Sequence, residues 1–158
     1  MPILKPIKGA LFPKWLRHDL IDKAANLECH SCERFFTPSD IKRVMRNSYG
    51  HGLVITHLLD PIAYTLYLKN DNQAHLVNLV VAPEWRRQGT GTLLIDQIKK
   101  RVNRITAAVR EGNLAAHLFL QDNGFVASNV LKNHFKDEYA EECEREDAYV
   151  FEFKEEQC

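Results

Sequence analysis

The chain has 158 residues, 45% hydrophobic and 27% charged, the balance of a soluble globular protein long enough to bury a full core. Lys plus Arg and Asp plus Glu number 21 each, so the net charge is zero and the chain lacks the overall basic signature of a nucleic-acid binder. No apolar run approaches the roughly 18 residues that cross a bilayer, and the opening segment, interrupted by Pro6 and Gly9, holds no leader-type apolar core; the expectation is one domain over residues 1–158 in the cytoplasm.

Residues 3–12 read as a short first strand, broken by Pro6 and Gly9. After Pro13, Trp15, Leu16, Leu20, Ile21 and Ala24 recur at helical spacing and predict a first helix over 14–27. Cys29-His30-Ser31-Cys32 then has the CxxC spacing of a zinc half-site or a redox pair. Zinc needs a second pair of ligands, and neither a second CxxC nor an HxxxH is present. The cysteines are therefore read as free thiols near a helix end, and no metal is expected. Thr37-Pro38-Ser39-Asp40 supplies an N-cap and a proline at the first helical position, with Ile41, Val44 and Met45 as the apolar face of a second helix.

Strands are predicted over 51–58 and 62–69, turning at Asp60-Pro61, and over 74–81 after the turn Asn70-Asp71-Asn72. Short connections make these three an antiparallel meander. The third leads into the stretch that organises the chain. Leu76, Val77, Leu79, Val80 and Val81 form a buried strand, Pro83 stops it, and Arg86-Arg87-Gln88-Gly89-Thr90-Gly91 turns it into a helix with Gly91, Ile95, Ile98 and Val102 on one stripe. Glycines there let a ligand approach backbone N–H groups at the positive end of a helix dipole, which is a pocket for phosphate. Six basic residues against Asp96 fall between Arg86 and Arg104, on the same stretch. The P-loop pattern GxxxxGK[ST] and the dinucleotide pattern GxGxxG are both absent.

Beyond the helix, 105–109 reads as a strand, Asn113 caps a helix holding Leu114, Leu118 and Phe119, and Asn123-Gly124-Phe125 ends it with glycine at C′. A strand over 126–131, an acidic connection over 137–147 and a last strand over 148–153 complete the chain. Residues 136–158 carry ten acidic residues against three basic, a charge that attracts a positively charged substrate end.

The pattern Arg/Gln-x-x-Gly-x-Gly/Ala at Arg86 to Gly91, after a hydrophobic strand, resembles the acetyl-CoA signature of the GNAT N-acetyltransferases. The element order β-α-α-β-β-β-α-β-α-β-β resembles their fold over nearly the whole chain: α/β (α+β), with a mixed, mostly antiparallel central sheet flanked by helices. Within that superfamily the chain is most similar to the RimI-like ribosomal-protein alanine N-acetyltransferases, through Asn78-Leu79-Val80-Val81-Ala82-Pro83, Val109-Arg110-Glu111-Gly112-Asn113 followed by Ala116, Gly124-Phe125, and Asn133 preceding Glu146-Asp147-Ala148-Tyr149. The resemblance implies acetyl-CoA as co-substrate and an amine as acceptor, most simply a protein N-terminal α-amine such as that of a ribosomal protein. It also implies that the strand Leu79, Val80 and Val81 holds the pantetheine arm, that Arg86, Arg87, Gln88, Gly89, Thr90, Gly91 and Thr92 take the pyrophosphate, and that Asn113 lies near the thiol end. As a residue, Asn113 reads equally as a helix N-cap.

Two departures from the family bear on chemistry. Ala108 stands where RimI-like enzymes usually have a glutamate, and Leu120 where they have a tyrosine, so both usual proton-handling side chains are missing. The replacement candidates are His134, Tyr139 and Glu138, with His75 at the start of the central strand as another. Three functions stay open at this point: an acetyltransferase for a protein N-terminal amine, with a polyamine or other small amine as the variant acceptor; an acetyl-CoA-binding module without catalysis; and a metal or redox function through Cys29 and Cys32.

Overall fold

Apolar residues run almost unbroken through the middle of the meander, so that strand must be covered on both faces. The computed structural model, which describes residues 11–29, 36–136 and 145–156, supplies two such layers. Seven strands, β1 (Lys14–Trp15), β2 (Gly50–His57), β3 (Asp60–Asn70), β4 (Gln73–Val81), β5 (Arg104–Arg110), β6 (Val126–Lys136) and β7 (Arg145–Lys154), form one sheet in the order β1-β2-β3-β4-β5-β7-β6. Helices α1 (Ile21–Cys29) and α2 (Pro38–Arg46) lie over β2 and β3 on one face, burying Ile21, Ala24, Ala25 and Ile41 against Val54, Tyr64, Leu66 and Val80. On the other face α3 (Thr90–Lys99) and α4 (Leu114–Asp122) pack Leu94, Ile95, Ile98 and Leu120 onto Leu76, Ile105, Ala107, Val109 and Phe151. The predicted GNAT order of elements is the observed one.

All strand pairs are antiparallel except β4 with β5, which α3 joins by a crossover. Their parallel pairing runs only from Gln73↔Arg104 to Leu76↔Ala107. Beyond it β4 continues to Val81 and β5 to Arg110 with no partner across the gap, so the sheet is split down its middle at that end. The split begins at a β-bulge. On β3 Leu66 faces Asn78 while Tyr67 faces Leu76, which leaves Val77 as the extra residue of β4.

Local expectations held where capping chemistry was explicit. Thr37 accepts from the Asp40 N–H and Asp40 accepts from the Thr37 N–H, a full capping box. Asn113 caps α4 through the Ala116 N–H, and Gly124 ends it at φ +86°. Elsewhere the boundaries moved. Lys14 and Trp15, expected in the first helix, pair with Val54 and Leu53 as an edge strand, so that helix starts at Ile21 after a single 3₁₀ turn over His18–Leu20. The β2–β3 turn falls on Leu58 and Leu59, both at positive φ, with Asp60 and Pro61 already inside β3. β6 runs on to Lys136 because β7 begins at Arg145 and stays paired with it. The first predicted strand up to residue 10, Cys32 and most of the acidic connection lie outside the described residues.

Candidate functional site

The turn between β4 and α3 is braced from inside by its own side chains. Arg86 Nε donates to the Val81 carbonyl at 3.0 Å, Gln88 Nε2 to Glu84 O at 2.8 Å and the Thr90 hydroxyl to Trp85 O at 3.0 Å. Trp85 is itself buried against the His57 ring. With the carbonyls taken up this way, Arg87 and Gly89 adopt left-handed backbone at φ +58° and +81°, a geometry that turns successive N–H groups to one side.

No side chain caps α3, in contrast to α2 and α4, and its first backbone bond is Leu93 N–H to Gly89 O. From Arg87 to Thr92, no backbone N–H makes a hydrogen bond of ordinary geometry to a described residue. A helix start left open like this, with the dipole behind it and open space above Gly89 where a Cβ would stand, suits a phosphate. Gly91 serves a different purpose: a Cβ there would come within 2.9 Å of the Phe119 ring, so the missing side chain lets α3 close onto α4.

The split between β4 and β5 runs from this turn towards the bulge. Its shape is fixed from the α1/α2 side by Asn78, whose Oδ1 accepts from Leu66 N–H at 3.1 Å and whose Nδ2 donates to the Tyr64 hydroxyl at 3.0 Å. The fully buried Thr65 donates its hydroxyl to the Asn78 carbonyl at 2.7 Å. Side chains thus replace ladder bonds that the bulge disrupts, and beyond Leu76 the edge of β4 towards β5 has no ladder partner for its N–H groups. Unpaired donors of that kind can stabilise an oxyanion developing on a carbonyl held in the gap.

At the open end of β5, Glu146 of β7 bonds the Gly112 N–H at 2.7 Å and the Arg110 guanidinium at 3.2 Å. Arg110 in turn lies 4.2 Å from the centre of the Phe135 ring. His134 is here, on a kinked part of β6 next to Asn133 at φ +53°, with its ring edge against Phe135. Asp147 pins the kink by accepting from the Asn133 N–H and from Lys132, and these two contacts hold its carboxyl below the ordinary aspartate range. Asn113 lies at the same end but spends its Oδ1 on the α4 cap. Tyr139 and Glu138 lie outside the described residues.

Other sequence expectations divide as follows. Ala108 is half-buried opposite Val150, and Leu120 is a core residue packed in the α3/α4 layer, so neither position can handle a proton. Leu114 and Leu118, placed by the sequence on the helix after Asn113, are exposed one turn apart on α4. The Thr65, Tyr64 and Asn78 clamp was missed as a unit, and so was Thr106, whose hydroxyl stands 2.9 Å from His75 Nδ1. The one signal in the sequence was a polar Asn78 inside an otherwise apolar strand. Among the described residues no group of acidic, histidine or cysteine side chains is arranged to hold a metal ion.

The same fold is found in solved structures. The chain superposes with a TM-score of 0.78 on the ribosomal-protein-S18-alanine N-acetyltransferase of Escherichia coli, at 21% identity over 94% of this chain and 96% of that one. Ard1 of Thermoplasma volcanium gives 0.75 at 20% identity over 94% and 99%. Naa20 of Chaetomium thermophilum, solved with a bisubstrate analogue, gives 0.73 at 20% identity over 90% and 86%. No curated protein matches the sequence. Residues 17–125 match the model of the acetyltransferase (GNAT) family, and that match, more than half the chain and including the split sheet and the open helix start, makes the chain a member of the GNAT family and an N-acetyltransferase.

Proposed function

We propose that this protein transfers the acetyl group of acetyl-CoA to the N-terminal α-amine of a protein, by direct attack of the amine on the thioester. The observation that carries the reading is the continuity between the uncapped start of α3 and the split between β4 and β5. In this reading the N–H groups of Arg87 to Thr92 take the pyrophosphate, and Arg86, Gln88 and Thr90 brace the turn that presents them. The pantetheine arm pairs along Leu79, Val80 and Val81 inside the gap, and the exposed Leu114 and Leu118 offer it apolar surface near Asn113. From Val81 back to Leu76 the strand spans about 17 Å, a length comparable to an extended pantetheine arm, so the thioester reaches the point where β4 and β5 rejoin.

An α-amine suits a site without the usual carboxylate and tyrosine. With a pKa near 8 it is about a tenth neutral at pH 7, whereas a lysine near 10.4 is neutral only about once in two thousand molecules. Alignment against the thioester then supplies much of the acceleration. The acidic residues of 137–147, read from sequence, favour an acceptor with basic residues after its N-terminus, the kind found in ribosomal proteins. The cytoplasm is the compartment where such an acceptor and acetyl-CoA meet.

The test is thiol release from acetyl-CoA with a basic peptide bearing a free N-terminal alanine, beside the same peptide blocked at its N-terminus but containing lysine. Release that needs the free α-amine is the expected result. Release with a polyamine but no peptide replaces the acceptor, and saturable acetyl-CoA binding without release from any amine replaces the enzyme by a binding module.

A further inference from the structure

We propose that His75 is the catalytic base: held by Thr106 beside the point where β4 and β5 part, its ring takes the proton that the acceptor amine sheds. The assignment deepens the proposed acetyl transfer and rests on it.

Position comes first. His75↔Thr106 is the parallel pair next to Leu76↔Ala107, the last one before the split. Leu76 and Ala107 point into the α3/α4 core, so His75 and Thr106, their chain neighbours, point to the opposite face. On that face α1 and α2 pack over β2, β3 and the adjoining part of β4, while Thr106, Ala108 and Arg110 of β5 stay only half-buried. An amine approaching from this side meets a thioester in the split with the imidazole next to it. A hollow of about 220 Å³ adjoins His75 and Thr106 on the paired side of this point, lined also by Tyr49, Leu68, Lys69, Asn70 and Gln73 at the β3–β4 hairpin end, so the ring stands between that hollow and the split.

The ring is also oriented. In the tautomer that donates Nδ1–H to Thr106 Oγ1, Nε2 carries the free lone pair. Desolvation by the surrounding strands pushes the ring's pKa below the usual histidine value although the residue keeps an exposed side, and this favours the neutral form that accepts a proton. The charged and titratable groups on the surrounding elements are Lys69 of β3, Tyr49 before β2, Arg104 of β5 and Glu152 of β7. Glu152 is already paired with Arg104 and Lys154, and none of the hollow's lining side chains is a carboxylate. His134, by contrast, is at the Arg110 end of β5, and the four residues from Thr106 to Arg110 span about 13 Å.

The step balances without a further reactant. The amine lone pair forms the C–N bond, the C–S bond breaks with its electron pair on sulfur, and the nitrogen's proton passes to His75 Nε2 and then to the thiolate or to water. The products are the N-acetylated acceptor and free CoA thiol.

The experiment compares wild type, His75→Ala and His75→Gln for acetyl-CoA affinity, kcat, and the pH dependence of kcat/KM with the free-alanine peptide. Glutamine keeps a hydrogen bond to Thr106 but takes no proton, and acetyl-CoA binding reports whether each variant is folded. The assignment expects unchanged acetyl-CoA affinity, a kcat lower by about 10²-fold in both variants, and loss of the histidine limb on the acid side of the profile. A folded variant with kcat within twofold of wild type and an unchanged profile overturns it. Wild type that releases no thiol with any amine overturns acetyl transfer itself, and the assignment with it.

Discussion

Asn78 does at the level of one side chain what a strand ladder does elsewhere. Its amide accepts from the Leu66 N–H and donates to the Tyr64 hydroxyl, and both partners are fully buried. Removing hydrogen bonds from buried groups costs about 1–3 kcal/mol. Asn78→Ala is therefore expected to lower the unfolding free energy by about that amount in a urea titration. It should also lower kcat more than acetyl-CoA affinity, because the bulge sets the end of the split while the phosphate turn lies at the other end. A variant that loses stability but keeps kcat would show that the bulge is held by the rest of the sheet. At this scale the sequence was legible in part. The glycine turn, the Thr37 cap and the Asn113 cap follow from local chemistry and are present. Asn78 stood out in the sequence only as a polar letter in an apolar strand and a family motif, and its role stayed hidden because two neighbouring residues on one face of a strand break the alternation by which strands are read. His75 and Thr106 meet across 31 residues of chain, a pairing no local pattern encodes.

Among the elements, the β2–β3 hairpin is the one built against its own turn chemistry. Leu58 and Leu59 occupy its two-residue turn at φ +50° and +72°, and both side chains are more than 80% exposed. Left-handed backbone costs a branched residue of ordinary chirality roughly 1–2 kcal/mol, and such turns strongly prefer Asn-Gly. Asp60-Pro61 carries the stronger turn signal, which is why the sequence reading put the turn there. Pairing decides otherwise: Thr56 faces Pro61 and His57 faces Asp60, so the register of two buried strands fixes the turn two residues earlier. Replacing Leu58-Leu59 by Asn-Gly is expected to raise the unfolding free energy by about 1–2 kcal/mol with unchanged acetyl-CoA affinity. Equal or lower stability would mean that the leucines make contacts worth more than the strain they cost. The edge strand β1 was lost to the sequence reading for a related reason, because two residues carry no period and Trp15, Leu16 and Leu20 mimic a helical stripe.

For the molecule as a whole, protonation below neutrality acts in two steps on different parts of the fold. His51 and His75 are both held below the usual histidine pKa, chiefly by burial, with Lys69 and Arg101 adding repulsion at His51. The unfolded chain therefore takes up protons at these positions before the folded one does, and stability falls as pH drops from about 6.5. Asp40, Asp147 and Glu152 are lowered too, by the Thr37 cap, by Asn133 with Lys132, and by Arg104 with Lys154. Their contribution is intact above the ordinary carboxylate range and disappears as pH falls through and below it. The expected stability curve is flat from about pH 7 up to the alkaline range where Tyr67, raised by burial, and Lys132, raised by Asp147, come into play; below about pH 7 a first decline comes from the histidines and a second, in acid, from the carboxylates. Melting temperature against pH checks the order. His75→Gln should shrink the first decline and leave the second, and a double variant that also carries His51→Gln should abolish it. If the first decline survives both substitutions, its protons go elsewhere, and the burial of these two rings is not what couples the fold to pH.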